Sequence, residues 1–408
     1  MSLETGAFSI SVPQVGYCTN VHAGTDMATI RSTLAEFAVP IASKLPDNEK
    51  LGVGLWLPAS AASELWPGGG AAEFGDWLSE RRLFPFTING FPYDNFHLPV
   101  VKHRVYRPTW ADEKRLDYTR LLAQILAQLL AAGNSESAAT MTGSISTLPI
   151  GWPGGNDQAE FEKAGENLRT LAAYLASIED TTGRRIVVAI EPEPGCLIDR
   201  CEDVIQFFDT YLPTANQRRY LGVCHDICHS AVMFEDQAET LRRYASQEIV
   251  VGKIQVSNAI DLPLHELEPE RRETAKDQLR QFAEDRYLHQ TGCLDCEGRF
   301  RLVEDLPDWL SSEASMTDQR IRVHFHVPIF AERLGTLRTT RADILGCMAA
   351  VRDTESLAFT GHWEIETYAW TVLPAELRAA GLGADIEREL NWFRSELKSF
   401  RRVHDRGS

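Results

Sequence analysis

The chain lacks the segments that would direct it out of the cell or into a membrane. Its 408 residues contain no apolar run close to the ~20 residues needed to cross a bilayer. The first residues, MSLETGAFSISVPQ, show neither the basic start nor the apolar core of a secretory signal. Eight irregularly spaced cysteines form no disulfide framework and suit a reducing compartment. These absences predict a cytoplasmic protein.

Positive charge is also scarce. The chain has 41 Lys and Arg against 58 Asp and Glu, which gives a formal net charge of −17, and no basic run interrupts it. A surface this acidic repels phosphate backbones and anionic lipid. We therefore expect neither nucleic acid nor membrane as a partner.

The glycine-rich signatures of nucleotide binding are missing as well. No G-x-G-x-x-G follows the first strand-like run, and no G-x-x-x-x-G-K-[ST] occurs anywhere. Instead, apolar strand-like runs alternate with helical patterns of 3.6-residue periodicity. There are eight such runs: GYCTNVH (16–22), LGVGLWLP (51–58), FPFTING (84–90), GSISTLP (143–149), RIVVAIE (185–191), YLGVCHD (220–226), VGKIQVS (251–257) and LAFTGHWEIE (357–366). Eight strand–helix repeats favour a (β/α)8 TIM barrel in the α/β class, formed by a single domain over residues 1–408.

One segment interrupts this alternation between the seventh and eighth strands. Residues 259–320 are rich in charge and predict mostly helix, and IRVHFHVPIF (321–330) predicts an extra strand. We interpret 259–330 as an insertion over the C-terminal mouth of the barrel, where loops carry function. Its phrase YLHQT would face inward as part of a lid. The alternative is that the insertion packs against outer helices or against the partner subunit of a homo-oligomer.

Polar side chains gather where the later strands end. They are Glu191 and Glu193 after the fifth strand, Asp226 and His229 at the sixth, Gln255 in the seventh, and Glu364 and Glu366 at the eighth. In a parallel barrel these ends meet at one face, where active sites are built. Each residue has an ordinary structural explanation, since a strand-end Glu is often solvated and a buried His is often simply hydrogen-bonded. Several converging carboxylates, however, repel one another unless a cation holds them, so the sequence predicts a divalent-metal site.

The order of these residues resembles the xylose isomerase-like TIM-barrel superfamily. That group includes sugar isomerases, ketose 3-epimerases, hydroxypyruvate isomerase and endonuclease IV-like enzymes, and it shows Glu, Asp-x-x-His, His or Gln, and Glu in this order. The resemblance implies four metal ligands: Glu191, Asp226, Gln255 and Glu366. It favours Glu366 over Glu364, because IETYA is similar to a stretch of the epimerases, and Glu191 over Glu193. It also implies that Glu191 and Glu366 serve as catalytic acid and base, whereas Gln255 replaces the commoner histidine.

Longer phrases resemble one bacterial branch of this superfamily, the EboE-type metabolite traffic proteins. They include FTINGFPY, AIEPEPGCL, GVCHDICHS, KIQVSNA, HFHVP and EIETYAWTVLP, and together they span nearly the whole chain. The name of the branch describes an operon context, so it implies no particular activity.

The predicted chemistry is metal-dependent isomerisation or epimerisation of a small sugar-like hydroxy-carbonyl compound, with proton transfer by a carboxylate. Oxygen ligands favour Mn²⁺ or Mg²⁺, and the histidines keep Zn²⁺ possible. One rival is a non-catalytic metabolite-binding protein that uses the same residues. The other is an endonuclease IV-like phosphodiesterase, which needs more histidines and a basic face for DNA.

Other residues are assigned supporting roles. Glu193, His229, His324, His326 and Glu364 would support the ligands or hold a second metal, while His22, Asn89, Tyr93 and His289 would bind a polyol substrate. The His324 and His326 pair has an alternative as two packed side chains of an edge strand. The single C-x-x-C, Cys293 and Cys296, is insufficient for a tetrahedral zinc site.

Overall fold

Eight parallel strands close into a barrel. The computed structural model describes residues 13–132, 142–371, 373–374 and 381–404. In chain order the barrel strands are β1 (Gln14–Cys18), β2 (Leu51–Trp56), β3 (Leu83–Asn89), β4 (Thr142–Thr147), β5 (Arg185–Ile190), β6 (Leu221–Asp226), β7 (Val251–Val256) and β14 (His362–Ile365). Each strand pairs in parallel with the next, and β14 pairs with β1 to close the ring. The predicted (β/α)8 barrel is confirmed, and each barrel strand overlaps one of the eight predicted runs.

Helices connect the barrel strands. They are α1 (Met27–Thr33), α2 (Val39–Ser43), α3 (Ala59–Leu65), α4 (Gly70–Glu80), α5 (Glu113–Ala132), α6 (Asp157–Thr182), α7 (Cys201–Tyr211), α8 (Ala215–Tyr220), α9 (Ile227–Val232), α10 (Gln237–Ser246), α11 (Pro269–Leu279), α12 (Leu306–Ser311), α13 (Arg341–Asp353) and α14 (Leu382–His404). The apolar side chains at 3.6-residue spacing on α5 and α6 are buried, as an amphipathic helix packed on a sheet requires. Within the described ranges, no helix is long and apolar enough to cross a membrane.

A second sheet lies between β7 and β14 in the chain. Its strands are β8 (Ile260–Leu262), β9 (Thr291–Leu294), β10 (Phe300–Val303), β11 (Arg320–Val323), β12 (Arg333–Leu334) and β13 (Leu337–Thr339), in the spatial order β10-β9-β11-β8-β13-β12. All of its pairings are antiparallel.

This sheet corrects the expected structure of the inserted segment. Residues 259–320 contain α11 and α12 but also β8, β9 and β10, so the prediction of mostly helix is wrong. Strands of three or four residues are too short to produce a clear alternation of apolar and polar residues. The sheet also continues to Thr339, beyond the predicted end at residue 330. The strand predicted over 321–330 is only Arg320–Val323, and it lies between β9 and β8, so it is not an edge strand.

Candidate metal centre

Three carboxylates converge where the barrel strands end. Glu191 directly follows β5, Asp226 is the last residue of β6, and Glu366 directly follows β14. One oxygen of each lies within 4.8 Å of the other two, and all three residues are buried. Glu191 Oε2 and Asp226 Oδ2 have no hydrogen-bond partner among the described residues. Buried carboxylate oxygens of like charge that receive no hydrogen bond are costly. These oxygens therefore fit as ligands of a divalent cation.

Burial and mutual repulsion perturb two of these carboxylates. Burial, followed by the charges of Asp226 and Glu364, raises the pKa of Glu366 to about 8. Burial, followed by the charges of Glu366 and Asp226, also raises the pKa of Glu191 well above its usual range. A bound cation would relieve this repulsion, because it favours the ionised forms.

Two amides hold the carboxylate of Glu366. The side-chain nitrogens of Asn20 and Asn89 donate to Glu366 Oε1 over 3.0 and 3.1 Å. Asn20 lies in the turn after β1, the strand that pairs with β14, and Asn89 ends β3, so the two amides come from different strands. Asn89, predicted as a substrate contact, thus orients a candidate ligand while also lining the cavity above it.

Asp226 is oriented by the start of the next helix. Its Oδ1 accepts hydrogen bonds from the backbone N–H of His229 and from the Ser257 hydroxyl, each over 2.8 Å. Asp226 is therefore the N-cap of α9, which accounts for the Asp-x-x-His spacing. Its second oxygen, Oδ2, remains for another partner and lies 4.0 Å from Nε2 of both His229 and His326.

Gln255 lies beside these residues on β7. It pairs in register with Asp226 on one side and Glu364 on the other, and it is fully buried. Its side chain shares the inner face of the strand with Lys253, because alternate residues of a strand point the same way. Neither its Oε1 nor its Nε2 meets a hydrogen-bond partner in the described part of the chain. A free amide oxygen at this level fits the predicted role of fourth ligand.

Two histidines turn their Nε2 atoms to the same region. His326 Nδ1 lies 2.7 Å from the Glu366 carbonyl oxygen, and His229 Nδ1 lies 2.8 Å from the Pro192 carbonyl oxygen. A carbonyl oxygen only accepts hydrogen bonds, so each Nδ1 carries a proton, and Nε2 is the atom of each ring that can bind a cation. Burial lowers the pKa of His326 to about 4, which keeps this ring neutral.

His324 completes the group through a similar contact. Its Nδ1 donates to Gln290 Oε1 over 2.7 Å, and Gln290 Nε2 donates to Glu193 Oε1 over 3.2 Å, which fixes the orientation of the amide. Burial lowers the pKa of His324 well below its usual range, so its Nε2 also presents a lone pair. That atom lies 3.2 Å from His229 Nε2. This separation suits a hydrogen bond when one of the two nitrogens is protonated, and it is also close to the spacing of about 3.3 Å between nitrogens bound to one tetrahedral zinc with Zn–N bonds of about 2.0–2.1 Å.

Glu193 and Glu364 are held in other ways. Glu193 accepts hydrogen bonds from the Tyr106 hydroxyl over 2.7 Å and from Gln290, and burial raises its pKa. Glu364 lies inside the barrel, where it forms an ion pair with Lys253, and both side chains are fully buried. A Cβ at Gly54 would lie 1.3 Å from Glu364 Oε1, so the missing side chain of Gly54 makes room for this carboxylate.

A cavity of about 540 Å³ of empty space, part of it open to solvent, lies above the centre. Glu191, Glu193, His229, His324, His326 and Glu366 all line it. From the inserted segment, Tyr287 and Leu288 contribute to the wall.

Three predicted substrate contacts lie elsewhere. His22 stacks on Phe37, 4.7 Å between ring centroids, and is not part of the described cavity lining. Tyr93 lines a separate cavity. His289 is buried and hydrogen-bonded to the His324 carbonyl over 3.0 Å. It therefore contacts the residue that follows β11 and is not part of the described cavity lining.

Four residues in or next to the candidate site were not predicted from the sequence. Lys253 carries the same signal as Gln255, a polar residue inside the apolar strand VGKIQV, and could have been found by it. Asn20, Tyr106 and Tyr368 line the cavity without any distinguishing sequence pattern. Cys293 is buried in β9 and Cys296 is exposed; neither is disulfide-bonded.

No family model matches the chain, and no curated protein matches it. Three solved structures that it is similar to are a xylose isomerase-like TIM-barrel protein from Mycobacterium smegmatis in complex with magnesium, the IOLI protein with a bound zinc atom, and the 3-keto-D-glucoside 4-epimerase YcjR from E. coli in its apo form. The first is 11% identical, with 96% of this chain and 99% of that chain covered and a TM-score of 0.49. The second is 10% identical, with 95% and 98% covered and a TM-score of 0.49. The third is 14% identical, with 74% and 98% covered and a TM-score of 0.37. The neighbours are thus of the xylose isomerase-like kind, whereas the resemblance to the EboE branch stays a prediction.

Proposed function

We propose that the protein is a divalent-metal-dependent isomerase or epimerase of a small hydroxy-carbonyl compound. The observation that carries this proposal is the convergence of Glu191, Asp226 and Glu366, with buried oxygens that lack donors among the described residues, at the floor of a cavity. These carboxylates repel one another without a cation, and the cavity gives a small molecule access to them. Such a site is suited to activating a bound carbonyl.

The proposed ligands are these three carboxylates and the Gln255 amide oxygen. This oxygen-rich set favours Mn²⁺ or Mg²⁺. When bound, such a cation supplies the Lewis acidity that polarises a carbonyl and acidifies the adjacent C–H. The Nε2 atoms of His229, His324 and His326, with the free oxygen of Asp226, would hold a second cation, for which imidazole ligands favour Zn²⁺.

Carboxylates of the chain would move the proton. One removes it from the carbon next to the carbonyl, and a second returns it to the neighbouring carbon or to the opposite face, so the reaction needs no redox partner. Glu191 and Glu366 are proposed for these roles from the family resemblance. Glu193 also lines the cavity, and hydrogen bonds from Tyr106 and Gln290 hold its Oε1 in place.

We also propose that segment 259–330 covers the site. Tyr287, Leu288, His324 and His326 all belong to this segment and line the cavity. A cover over the carboxylates would exclude water, which favours proton transfer next to a carbonyl.

The test is solvent deuterium exchange. Metal-loaded protein is incubated in D₂O with a panel of 2-hydroxy-ketones and ketoses, and loss of the C–H signal next to the carbonyl is followed by NMR. We expect exchange of at least one compound, dependent on metal and lost in Asp226→Asn. Metal-dependent binding without exchange of any bound compound would favour the non-catalytic binding protein.

The histidine cluster favours phosphodiester hydrolysis as a second candidate, because multi-zinc hydrolases use such ligands. The cavity argues against it. Lys102 is the only Lys or Arg among its described lining residues, and Asp305 already pairs with it over 2.8 Å. Metal-dependent cleavage of bis(p-nitrophenyl) phosphate without any deuterium exchange would reverse the ranking.

A further inference from the structure

The wall next to the candidate centre is aromatic. The rings of Phe96, Tyr287 and Tyr368 lie 4.9 to 5.3 Å apart between centroids, and all three line the cavity. Tyr368 also lies 4.6 Å from the ring of His326, so the aromatic cluster directly adjoins the candidate ligands. A bound molecule that reached the carboxylates would therefore lie against these rings.

Further apolar residues line the same cavity. They are Phe91, Pro92, Val101, Val105 and Leu288. Phe91 packs against Tyr106, with 6.1 Å between ring centroids. Apolar groups thus make up much of the described lining, which favours a ligand with an apolar body.

Two tyrosine hydroxyls of the cavity are already engaged. The Tyr106 hydroxyl donates to Glu193 over 2.7 Å and accepts from Gln290 over 3.1 Å. The Tyr287 hydroxyl donates to the Phe96 carbonyl over 3.3 Å. Asn20 Oδ1 has no partner among the described residues and lies on the residue that donates to Glu366, so the free polar atom belongs to the centre and not to the aromatic rings. A hydroxyl placed against those rings would stay unpaired, and unpaired buried polar groups weaken binding.

The cavity offers no cationic side chain to an anionic group. The one described Lys that lines it, Lys102, already pairs with Asp305. A phosphate group at a distance from the metal would therefore find no free guanidinium or ammonium group in the described lining. The lining thus favours a neutral ligand over a sugar phosphate.

We infer that the substrate is a neutral aryl hydroxy-ketone, with its two neighbouring oxygens at the carboxylate centre and its ring against Phe96, Tyr287 and Tyr368. This inference rests on the proposed function, because it takes the oxygen-bearing head group to be bound at the metal. In this substrate an apolar ring, and not a sugar-like chain, is attached to the carbonyl carbon.

Two probes with the same head group test it. 2-Hydroxyacetophenone and dihydroxyacetone share HO–CH₂–C=O and differ in that a phenyl ring replaces a CH₂OH group. Each is titrated calorimetrically into Mn²⁺-loaded and metal-free protein. Because burial of a ring-sized apolar group strengthens binding by about tenfold or more, we expect the aryl compound to bind at least about tenfold more tightly to the loaded protein, and metal removal to abolish this binding.

Variants of aromatic residues separate the wall from the centre. Phe96→Leu should weaken binding of 2-hydroxyacetophenone several-fold, while leaving dihydroxyacetone binding and metal content unchanged. Phe161→Leu is the matched control, since Phe161 packs against Phe207 and Tyr211 on the outer helices. A Phe161→Leu protein with the same loss would contradict a specific role for the wall.

The binding results show separately whether the aryl preference or the proposed function is wrong. Equal, metal-dependent binding of both probes would overturn the aryl preference and leave the proposed function standing. Aryl binding that is equally tight without metal would overturn the inference, because the head group would then lie away from the carboxylates. Binding of neither probe to protein that demonstrably holds metal would count against both.

Discussion

Asp226→Asn should destroy metal binding and also lower the stability of the metal-free protein. Asparagine retains the oxygen that caps α9 and accepts from His229 and Ser257, and Asn caps helices about as well as Asp. The change replaces the free oxygen by an NH₂ group, 4.0 Å from the Nε2 atoms of His229 and His326. It therefore removes a candidate ligand atom and a buried negative charge together.

The sign follows from the pKa of Asp226. Burial raises this pKa, but the interaction with His229 and His326 and the hydrogen bonds from the His229 N–H and the Ser257 hydroxyl outweigh burial, so the net shift is downward. A carboxyl group whose pKa is lowered on folding stabilises the folded protein above the pKa of the unfolded chain, and asparagine removes that contribution. Little repulsion is relieved in exchange at pH 7, because burial and the neighbouring charges raise the pKa of Glu366 to about 8. A hydrogen bond to a charged acceptor contributes about 1 kcal/mol more than one to a neutral acceptor, and Oδ1 accepts two, so we expect Asp226→Asn to lower the free energy of unfolding of chelator-treated protein by about 1–2 kcal/mol.

The assays are elemental analysis of metal content and urea denaturation with and without chelator. Asp236→Asn is the matched control, since Asp236 caps α10 through the backbone N–H of Glu239 over 2.8 Å but lies on the exposed surface. That variant should retain metal and change stability by less than about 0.5 kcal/mol. Full metal occupancy in Asp226→Asn, or a metal-free Asp226→Asn protein at least as stable as the control, would refute the reasoning.

Three further predictions concern the barrel interior and the surface. Gly54→Ala should lower the melting temperature and cost about 1–3 kcal/mol, because its Cβ would collide with the Glu364 carboxylate; an unchanged unfolding curve would contradict this packing. Lys253→Met should cost about 3–5 kcal/mol by leaving Glu364 buried and unpaired, whereas Lys253→Met combined with Glu364→Leu should recover most of that loss; no recovery in the double variant, measured by urea unfolding, would show that the ion pair is not the cause. Abasic duplex DNA should bind weakly or not at all at physiological salt, because the chain carries a formal charge of −17; submicromolar binding in a filter assay would contradict this expectation.

The barrel was predictable because buried parallel strands have a strong local signature. Each barrel strand is a short apolar run, and the polar residue that ends it marks the catalytic face. Position alone identified two pairs, Glu191 with Glu193 and Glu364 with Glu366, and the family resemblance favoured Glu191 and Glu366. Each of these two directly follows a strand. The second sheet was not predictable in this way. Its strand β8 pairs with β11 and β13, which lie far along the chain, and such contacts leave no periodic pattern in the sequence.

The chemical state of the histidines was also beyond sequence reasoning. His229 and His326 could have been ordinary buried histidines, as their sequence context allowed. That each Nδ1 carries a proton follows from hydrogen bonds to the carbonyl oxygens of Pro192 and Glu366, and the second of these lies 40 residues from its histidine in the chain. Only the tertiary fold brings these acceptors to Nδ1.

The number of cations that the centre can hold follows from its charges. Five buried carboxylates lie at or near the ends of β5, β6 and β14: Glu191, Glu193, Asp226, Glu364 and Glu366. Lys253 neutralises Glu364, which leaves four. With these four ionised, one divalent ion would leave a net charge of −2. A second divalent ion would give a net charge of 0, and the Nε2 atoms of His324 and His326 would be among its ligands. Because Asp226 lies within reach of both groups, it would be the ligand shared by the two ions, and its loss should therefore affect both, whereas loss of His324 should affect only one.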